Sequence, residues 1–416
     1  MRVFKFGGAS VKDANGVKNV LNVLKETGYS NLVVVVSAMG KTTNALEDLV
    51  ALYLKEGAEF KPLIQDLEHY HKEILETLFE DKKHSVFKRV KKLFKDMQTT
   101  LKRNKSTQYD YIYDQIVSFG ELISTTIISE YLNHEGLKNE WLDARNFIKT
   151  DNTYRDAQVN WETTQKKIQE KDIKNGLSIT QGFIGSDDNN FTTTLGREGS
   201  DYTAGIFAYC LNADSVSIWK DVPGVLNADP RVFDKTELLS HISYEEAIEL
   251  AFYGASVIHP KTIQPLQRKE IPLYVKSFLK PMNEGTSVKK GQPLDPHLPC
   301  YIVKKNQILV SLSSLDFSFI VEDMVSEIFS LLHQYQIKVD LIQNSAISFS
   351  LCLDDKFNHL DELLAKLKIK FKVTYNTGVS LFTIRHFTNE AIKSLETNKD
   401  ILLKQITRET YQMVSR

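Results

Sequence analysis

Cysteine is scarce in this chain, and the three that occur, Cys210, Cys300 and Cys352, stand far apart. That spacing argues against both a disulfide framework and a thiolate metal site, and it fits a reducing cytoplasm. Charge of one sign is missing as well: 52 Lys and Arg against 53 Asp and Glu leave a formal net charge of −1. No global field favours nucleic acid or an acidic membrane surface, so small or uncharged partners are expected. Long apolar runs are lacking too, with no stretch approaching the roughly 18 residues of a membrane helix. Lys5 interrupts the first apolar run, which leaves the N-terminus without the apolar core of a signal peptide. A soluble cytoplasmic protein is the expectation. The 416 residues suffice for two or three domains, each with its own core.

What the chain does contain is alternation. Short apolar runs at 3–6, 32–36, 177–180, 216–219 and 273–275 read as strands buried on both faces, which predicts a mainly parallel sheet. Helical periodicity at 17–25, 44–54, 115–131, 204–211 and 244–252 falls between them and gives an α/β sandwich of βαβ crossovers. Residues 61–104, rich in Lys, Glu, Leu and His without turn residues, read as an inserted helical pair with solvated charge runs. Breakers at 280–293 mark a domain boundary. Beyond it the order β-α-β-β-α-β over 307–375 predicts a ferredoxin-like unit, and 380–414 a second, incomplete pass. The domain reading is a catalytic domain over 1–280, a linker over 281–300, a first unit over 301–378 and a truncated second one over 379–416.

Five segments carry chemistry. In Lys5-Phe6-Gly7-Gly8-Ala9-Ser10 a strand holds a lysine while two glycines open the backbone to an anion. Ser37-Ala38-Met39-Gly40-Lys41-Thr42-Thr43-Asn44 mimics the tail of a P-loop, but Val35 stands where its first glycine is required, so a Walker A site is rejected. Ser37 and Thr43 offer hydroxyls there, or Thr43 or Asn44 simply caps the next helix. Glu121 sits among Phe119, Leu122 and Ile123, an awkward place for an acid without a cationic partner such as a substrate ammonium. The run from Thr192 to Ala204 holds Gly196, Arg197, Glu198, Gly199, Ser200 and Asp201 just before a helix. There Ser200 or Asp201 can cap, and Arg197 can fork a carboxylate or phosphate. Finally, Lys220, Asp221, Leu226, Asp229 and Arg231 line a long turn after a strand, where they can meet a nucleotide or form an ordinary surface loop.

This ordered set, with Tyr253-Gly254-Ala255 and Ile258-His259-Pro260, closely resembles the aspartate kinases over nearly the whole chain, and the tail resembles their ACT regulatory domains. The resemblance implies a three-layer α/β/α sandwich of the amino-acid kinase type followed by an α+β ACT region. It implies transfer of the ATP γ-phosphoryl group to the side-chain carboxylate of L-aspartate, with ATP and Mg²⁺ required. By the family's motifs Lys5 neutralises the transferring phosphoryl group and Gly7, Gly8 and Ser10 shape its cradle. Arg197 forks the substrate α-carboxylate, Glu121 faces its ammonium, and Ser37, Thr43, Ser200 and Asp201 complete the aspartate pocket or its phosphate edge. Lys220, Asp221, Leu226 and Arg231 border the nucleotide, and Mg²⁺ sits on phosphate oxygens and water, with no metal ligand assigned to the protein.

Several positions depart from the pattern. Ala9 replaces a threonine, and Ser256 replaces a lysine that reaches nucleotide phosphates, for which Lys261 is the candidate substitute. Glu198 stands where a small residue is usual and is expected to point outward. In the tail, Val339-Asp340-Leu341-Ile342 and Ser345 resemble the effector-facing segment of lysine-responsive members, yet Asp323 and Ala346 depart from it. The expectation is a homodimer through the first ACT unit, with lysine or threonine as the candidate effector and lysine inhibition weak or absent. Two rivals are a kinase of glutamate or acetylglutamate and a non-catalytic amino-acid sensor.

Overall fold

The structure is a computed structural model that describes all residues except 56–58, 172, 174–175, 256–257 and 317–318. The chain forms two compact units. Met1–Val225, Leu238–Ile248 and Val257–Pro296 make the first, and Leu226–Glu237, Glu249–Ser256 and His297–Arg416 the second.

In the first unit the apolar runs become β1 (Arg2–Phe6), β2 (Leu32–Val36), β3 (Glu140–Leu142) and β4 (Leu177–Gln181). After a small hairpin of β5 (Ile184–Ser186) and β6 (Thr192–Thr194) come β7 (Ser215–Lys220), β8 (His241–Ser243), β9 (Leu273–Ser277) and β10 (Thr286–Lys289). The main sheet has the order β3-β4-β2-β1-β7-β9-β10-β8. Every pairing is parallel except β9 with β10. The all-aliphatic, all-buried character of β2, one Leu followed by four Val, follows from its central place, with neighbours on both edges and helices on the faces.

The helices are α1 (Ala14–Thr27), α2 (Thr42–Leu54), α3 (Lys61–Leu78), α4 (Ser85–Arg103), α5 (Tyr109–His134), α6 (Trp161–Glu170), α7 (Gly199–Leu211), α8 (Tyr244–Tyr253) and α9 (Pro260–Arg268). The expected insertion is the pair α3 and α4. Each buries a single stripe, such as Val86, Val90, Phe94, Met97 and Leu101 on α4, and solvates the rest. Helix α5 is instead buried on nearly every side, which is why it holds almost no charge except Asp110, Asp114, Glu121 and Glu130. Helix α2 begins at Thr42, not behind a Thr43 or Asn44 cap. The Thr42 hydroxyl donates back to the Met39 carbonyl at 2.6 Å instead.

The second unit contains β11 (Cys300–Ser314), α10 (Glu322–Gln334), β12 (Lys338–Asn344), β13 (Ser348–Asp354), α11 (Leu360–Leu367), β14 (Phe371–Arg385), α12 (Asn389–Glu396), β15 (Ile401–Ile406) and β16 (Thr410–Ser415). These strands make one antiparallel sheet, β12-β13-β11-β14-β16-β15. Two features differ from the sequence-based division. The boundary drawn at 378–379 falls inside β14, a 15-residue strand that runs through both repeats, and β11 likewise pairs with both halves of β14. The segment read as a linker, 281–300, contributes β10 to the sheet of the first unit. Breakers mark an irregular path, and four residues are too few for periodicity to reveal a strand.

Candidate functional site

In a parallel sheet the loops leaving the carboxyl ends of neighbouring strands converge, and that is where such sheets place ligands. Here the loops after β1, β2 and β7 carry three of the five singled-out segments. Lys5 is the fourth residue of β1, 8% exposed, and its Nζ lies 2.5 Å from Asp201 Oδ1. Asp201 is in the first turn of α7, and its other oxygen lies 3.9 Å from Lys220 Nζ at the end of β7. Three separate elements thus bring two ammonium groups to one buried carboxylate. Despite burial, those two charges hold the Asp201 carboxyl below its ordinary value.

The glycines work through close approach. A Cβ on Gly7 would stand 3.4 Å from Lys5 Nζ, so the ammonium lies against the bare backbone. A Cβ on Gly8 would meet the Ala38 and Gly40 carbonyl oxygens at 2.9 Å, and the Gly40 N–H donates to the Gly8 carbonyl at 3.1 Å. The loops after β1 and β2 are therefore locked together. Ser10 is buried, and its hydroxyl donates to the Trp219 carbonyl at 3.3 Å, tying the β1 loop to the end of β7.

Glu121 lies beyond that lock. It is 2% exposed, Oε1 accepts the Ala38 N–H at 3.3 Å, and Oε2 is buried without a hydrogen-bond partner among the described residues. Burial pushes its carboxyl up to about 8. Ala38 joins the two sides, with its carbonyl against Gly8 and its N–H on Glu121. Ser37 is half-buried, its carbonyl accepting the Ser124 hydroxyl at 2.7 Å, and Thr43 is half-buried in the first turn of α2.

The run from Thr192 differs from a simple loop, because its first three residues are β6. Helix α7 then starts at Gly199, one residue before the expected caps. Its N-cap is Glu198, in the left-handed region at φ 52°, with no side-chain capping bond. Ser200 is buried against Gly182, where a Cβ would fall 2.4 Å from the Ser200 Cβ. Arg197 is exposed. Glu198 does not point outward as expected. Its Oε2 is buried, and burial together with the neighbouring Asp201 charge raises its carboxyl above the ordinary value, against the opposing pull of Lys220 and Lys5. Asp221 is exposed after β7. Leu226 and Arg231 belong to the second unit, where Arg231 forks Asp229 with Nη2 2.7 Å from Oδ2. Lys261 pairs with Asp156, and Ser256 lies outside the described residues.

One buried acid beside the candidate site escaped sequence reasoning. Asp114 is fully buried on α5 and accepts the Thr194 N–H at 2.8 Å, the Thr194 hydroxyl at 2.7 Å and the Arg155 N–H at 3.1 Å, anchoring the strand that leads to Arg197. Burial raises its carboxyl to about 7. The available signal was the polar ladder Asp114, Ser118, Glu121 and Thr125, which keeps one face of an otherwise apolar helix.

Comparison with known proteins agrees with this geometry. The model of the amino acid kinase family matches residues 1–277. Lysine-sensitive aspartokinase 3 of Escherichia coli is 33% identical over 344 residues, covering 82% of this chain and 75% of that protein. The aspartokinase of Chlamydia pneumoniae is 30% identical over 82% of this chain and 74% of its own length. The crystal structure of E. coli aspartokinase III in complex with aspartate and ADP superposes with a TM-score of 0.84 at 28% identity, covering 100% of this chain and 96% of that one. The chain belongs to the amino acid kinase family, and within it to the aspartokinases.

Proposed function

We infer that the Lys5–Asp201–Lys220 cluster is the phosphoryl side, and the Glu121 pocket the amino-acid side, of an aspartate kinase site. The enzyme transfers the γ-phosphoryl group of ATP to the side-chain carboxylate of L-aspartate, giving 4-phospho-L-aspartate and ADP. An ionised carboxylate needs no general base, so catalysis reduces to positioning and charge stabilisation. The observation that carries the residue assignment is the junction at Ala38. It sets a buried acid with an unpartnered oxygen directly behind the glycine cradle that Lys5 lies against.

In this reading Lys5 and Lys220 meet charge developing on the transferring phosphoryl oxygens, and Asp201 keeps both ammonium groups aimed there. Gly7 and Gly8 leave room for phosphate, while Ser10 holds the cradle to β7. Glu121 receives the substrate ammonium, and Arg197, exposed at the mouth, forks the α-carboxylate. Ser37, Thr43 and Ser200 edge the pocket, and Asp221 serves the nucleotide. Mg²⁺ fits best on phosphate oxygens and water, because Asp201, the buried acid nearest the phosphoryl position, is already held by two lysines. The ion would there neutralise phosphate charge.

The second unit is read as the ACT region of a cytoplasmic homodimer. Its sheet ends in two edge strands, β12 and β15, carrying exposed Ile342 and Ile406, and pairing between copies would cover such an edge. Lysine inhibition is expected to be weak. Asp340, in the segment that resembles the effector-facing one, is already met by Lys304 at 2.8 Å and Lys338 at 3.2 Å. ATP- and Mg²⁺-dependent trapping of the acyl phosphate as hydroxamate, comparing aspartate, glutamate and acetylglutamate, tests the activity. No hydroxamate from aspartate would refute it, and a steep lysine inhibition curve would refute the regulatory reading.

A further inference from the structure

The inserted helical pair has no task in the reading above, yet one of its side chains reaches the glycine cradle. Tyr70, half-buried on α3, donates its hydroxyl to the Lys12 carbonyl. Lys12 closes the short helical turn Gly8–Val11, the segment that carries Gly8 and Ser10. The same hydroxyl lies against Gly40 in the loop after β2, where a Cβ would stand 2.7 Å from Tyr70 Oη and 3.6 Å from the Lys12 Cβ. Gly40 holds a φ of 55°, so its missing side chain serves both the backbone turn and this close approach. One phenol therefore touches both of the loops that the bond from the Gly40 N–H to the Gly8 carbonyl locks together.

The ring is itself held in place. Tyr70 packs edge-on against His71 with centroids 4.9 Å apart, and His71 packs in the same manner on Phe94 of α4 at 5.7 Å. His71 is fully buried, and its Nδ1 lies 2.8 Å from the Leu67 carbonyl. Burial and the nearby Asp13 charge raise the Tyr70 phenol above its ordinary range, so it keeps the proton that it donates. We propose that Tyr70 is a positioning residue for the phosphoryl cradle: from α3 it clamps the loops after β1 and β2 to one another, as Ser10 ties the first of them to β7, and so sets how well the cradle receives nucleotide phosphate. This rests on the cradle being the phosphoryl side of the site. Phosphoryl transfer depends on positioning, so a small displacement of Gly8 is felt in nucleotide binding before it is felt in the fold. Aspartate should feel it less, because Glu121 lies beyond Ala38.

Steady-state hydroxamate kinetics on the full chain, with ATP and aspartate varied in turn, tests this beside urea unfolding. Y70F keeps the ring and loses the hydroxyl; its ATP KM should rise roughly 3–10-fold, the effect of losing one hydrogen bond, with the aspartate KM changed by less than about twofold. Y70A removes the ring as well and should raise the ATP KM further. Y53F is the structural control, because Tyr53, at the far end of α2, likewise donates to a carbonyl, that of Leu101 at 3.0 Å. It should lose comparable stability and keep the wild-type ATP KM. An unchanged ATP KM in both Tyr70 variants overturns the proposal, and so does an effect of the same size in Y53F. An equal rise in the aspartate KM of Y70F overturns it too, as the mark of general loosening. Unchanged ATP kinetics in the double variant Lys5→Ala/Lys220→Ala would instead remove the phosphoryl reading of the cluster, and this proposal with it.

Discussion

Replacing Glu121 by Gln should make the free enzyme more stable at alkaline pH while ruining aspartate binding. In the fold the Glu121 carboxyl keeps its proton up to about 8, against an ordinary 4.5, because burial penalises the charge. The native state therefore binds more protons than the unfolded chain between those values, and stability falls as pH rises through that window. The gap, at about 1.4 kcal/mol per pH unit, sets a ceiling of about 5 kcal/mol on what ionised Glu121 costs above pH ~8. Gln is isosteric and neutral, and its carbonyl can still accept the Ala38 N–H. The variant should match the wild type below about pH 4.5 and exceed it increasingly above. Urea unfolding across pH checks this, with aspartate absent. Loss of the acid should at the same time raise the aspartate KM by roughly 10–100-fold, the worth of a charge-assisted hydrogen bond. Equal pH slopes in the two proteins would refute the argument that the carboxyl is held neutral by burial, and an unchanged KM would remove the substrate ammonium from its vicinity.

Lys5→Ala should retain its circular dichroism spectrum but lose at least about 100-fold in kcat by hydroxamate assay, since a preorganised charge is withdrawn from the phosphoryl group. Retained turnover would show that Lys220 alone suffices. Asp114→Asn should lower unfolding free energy by about 1–3 kcal/mol, because an amide cannot accept all three donors from Thr194 and Arg155. It should also depress kcat/KM through the loosened approach to Arg197. Lys304→Met frees the buried Asp340 of its closer cation and should produce or sharpen inhibition by lysine in a steady-state titration.

The sheet was legible because its strands carry mostly apolar runs, the composition that burial on both faces favours. The tail was legible for a related reason: its helices and strands alternate at lengths that suit their periods. Strands such as β3, β8 and β10, three or four residues long, escaped because they hold at most two repeats of a strand's alternation. The candidate site was legible where rare residues stand in order at strand ends and a helix start, as at Gly7, Gly8, Glu121 and Asp201. It was not legible where the decisive fact is direction. Glu198 reads as a surface acid from its neighbours in sequence, yet its Oε2 is buried beside Asp201. Asp114 was hidden by distance, its three donors lying some 40 and 80 residues away along the chain.

The two long strands of the second unit imply a mechanical consequence. Because β11 and β14 run through both repeats, and Leu309, Leu341 and Cys352 share one apolar cluster with Leu381, Leu403 and Val414, the two repeats hold one layer of packing in common, although the first also has its own core around Val310, Leu312, Leu351 and Leu363. Shortening the chain at residue 378 would strip strand partners from one repeat and half a hydrophobic layer from the other. The tail should accordingly melt as a single cooperative element, and amides in β11 and β14 should exchange hydrogen at one common rate.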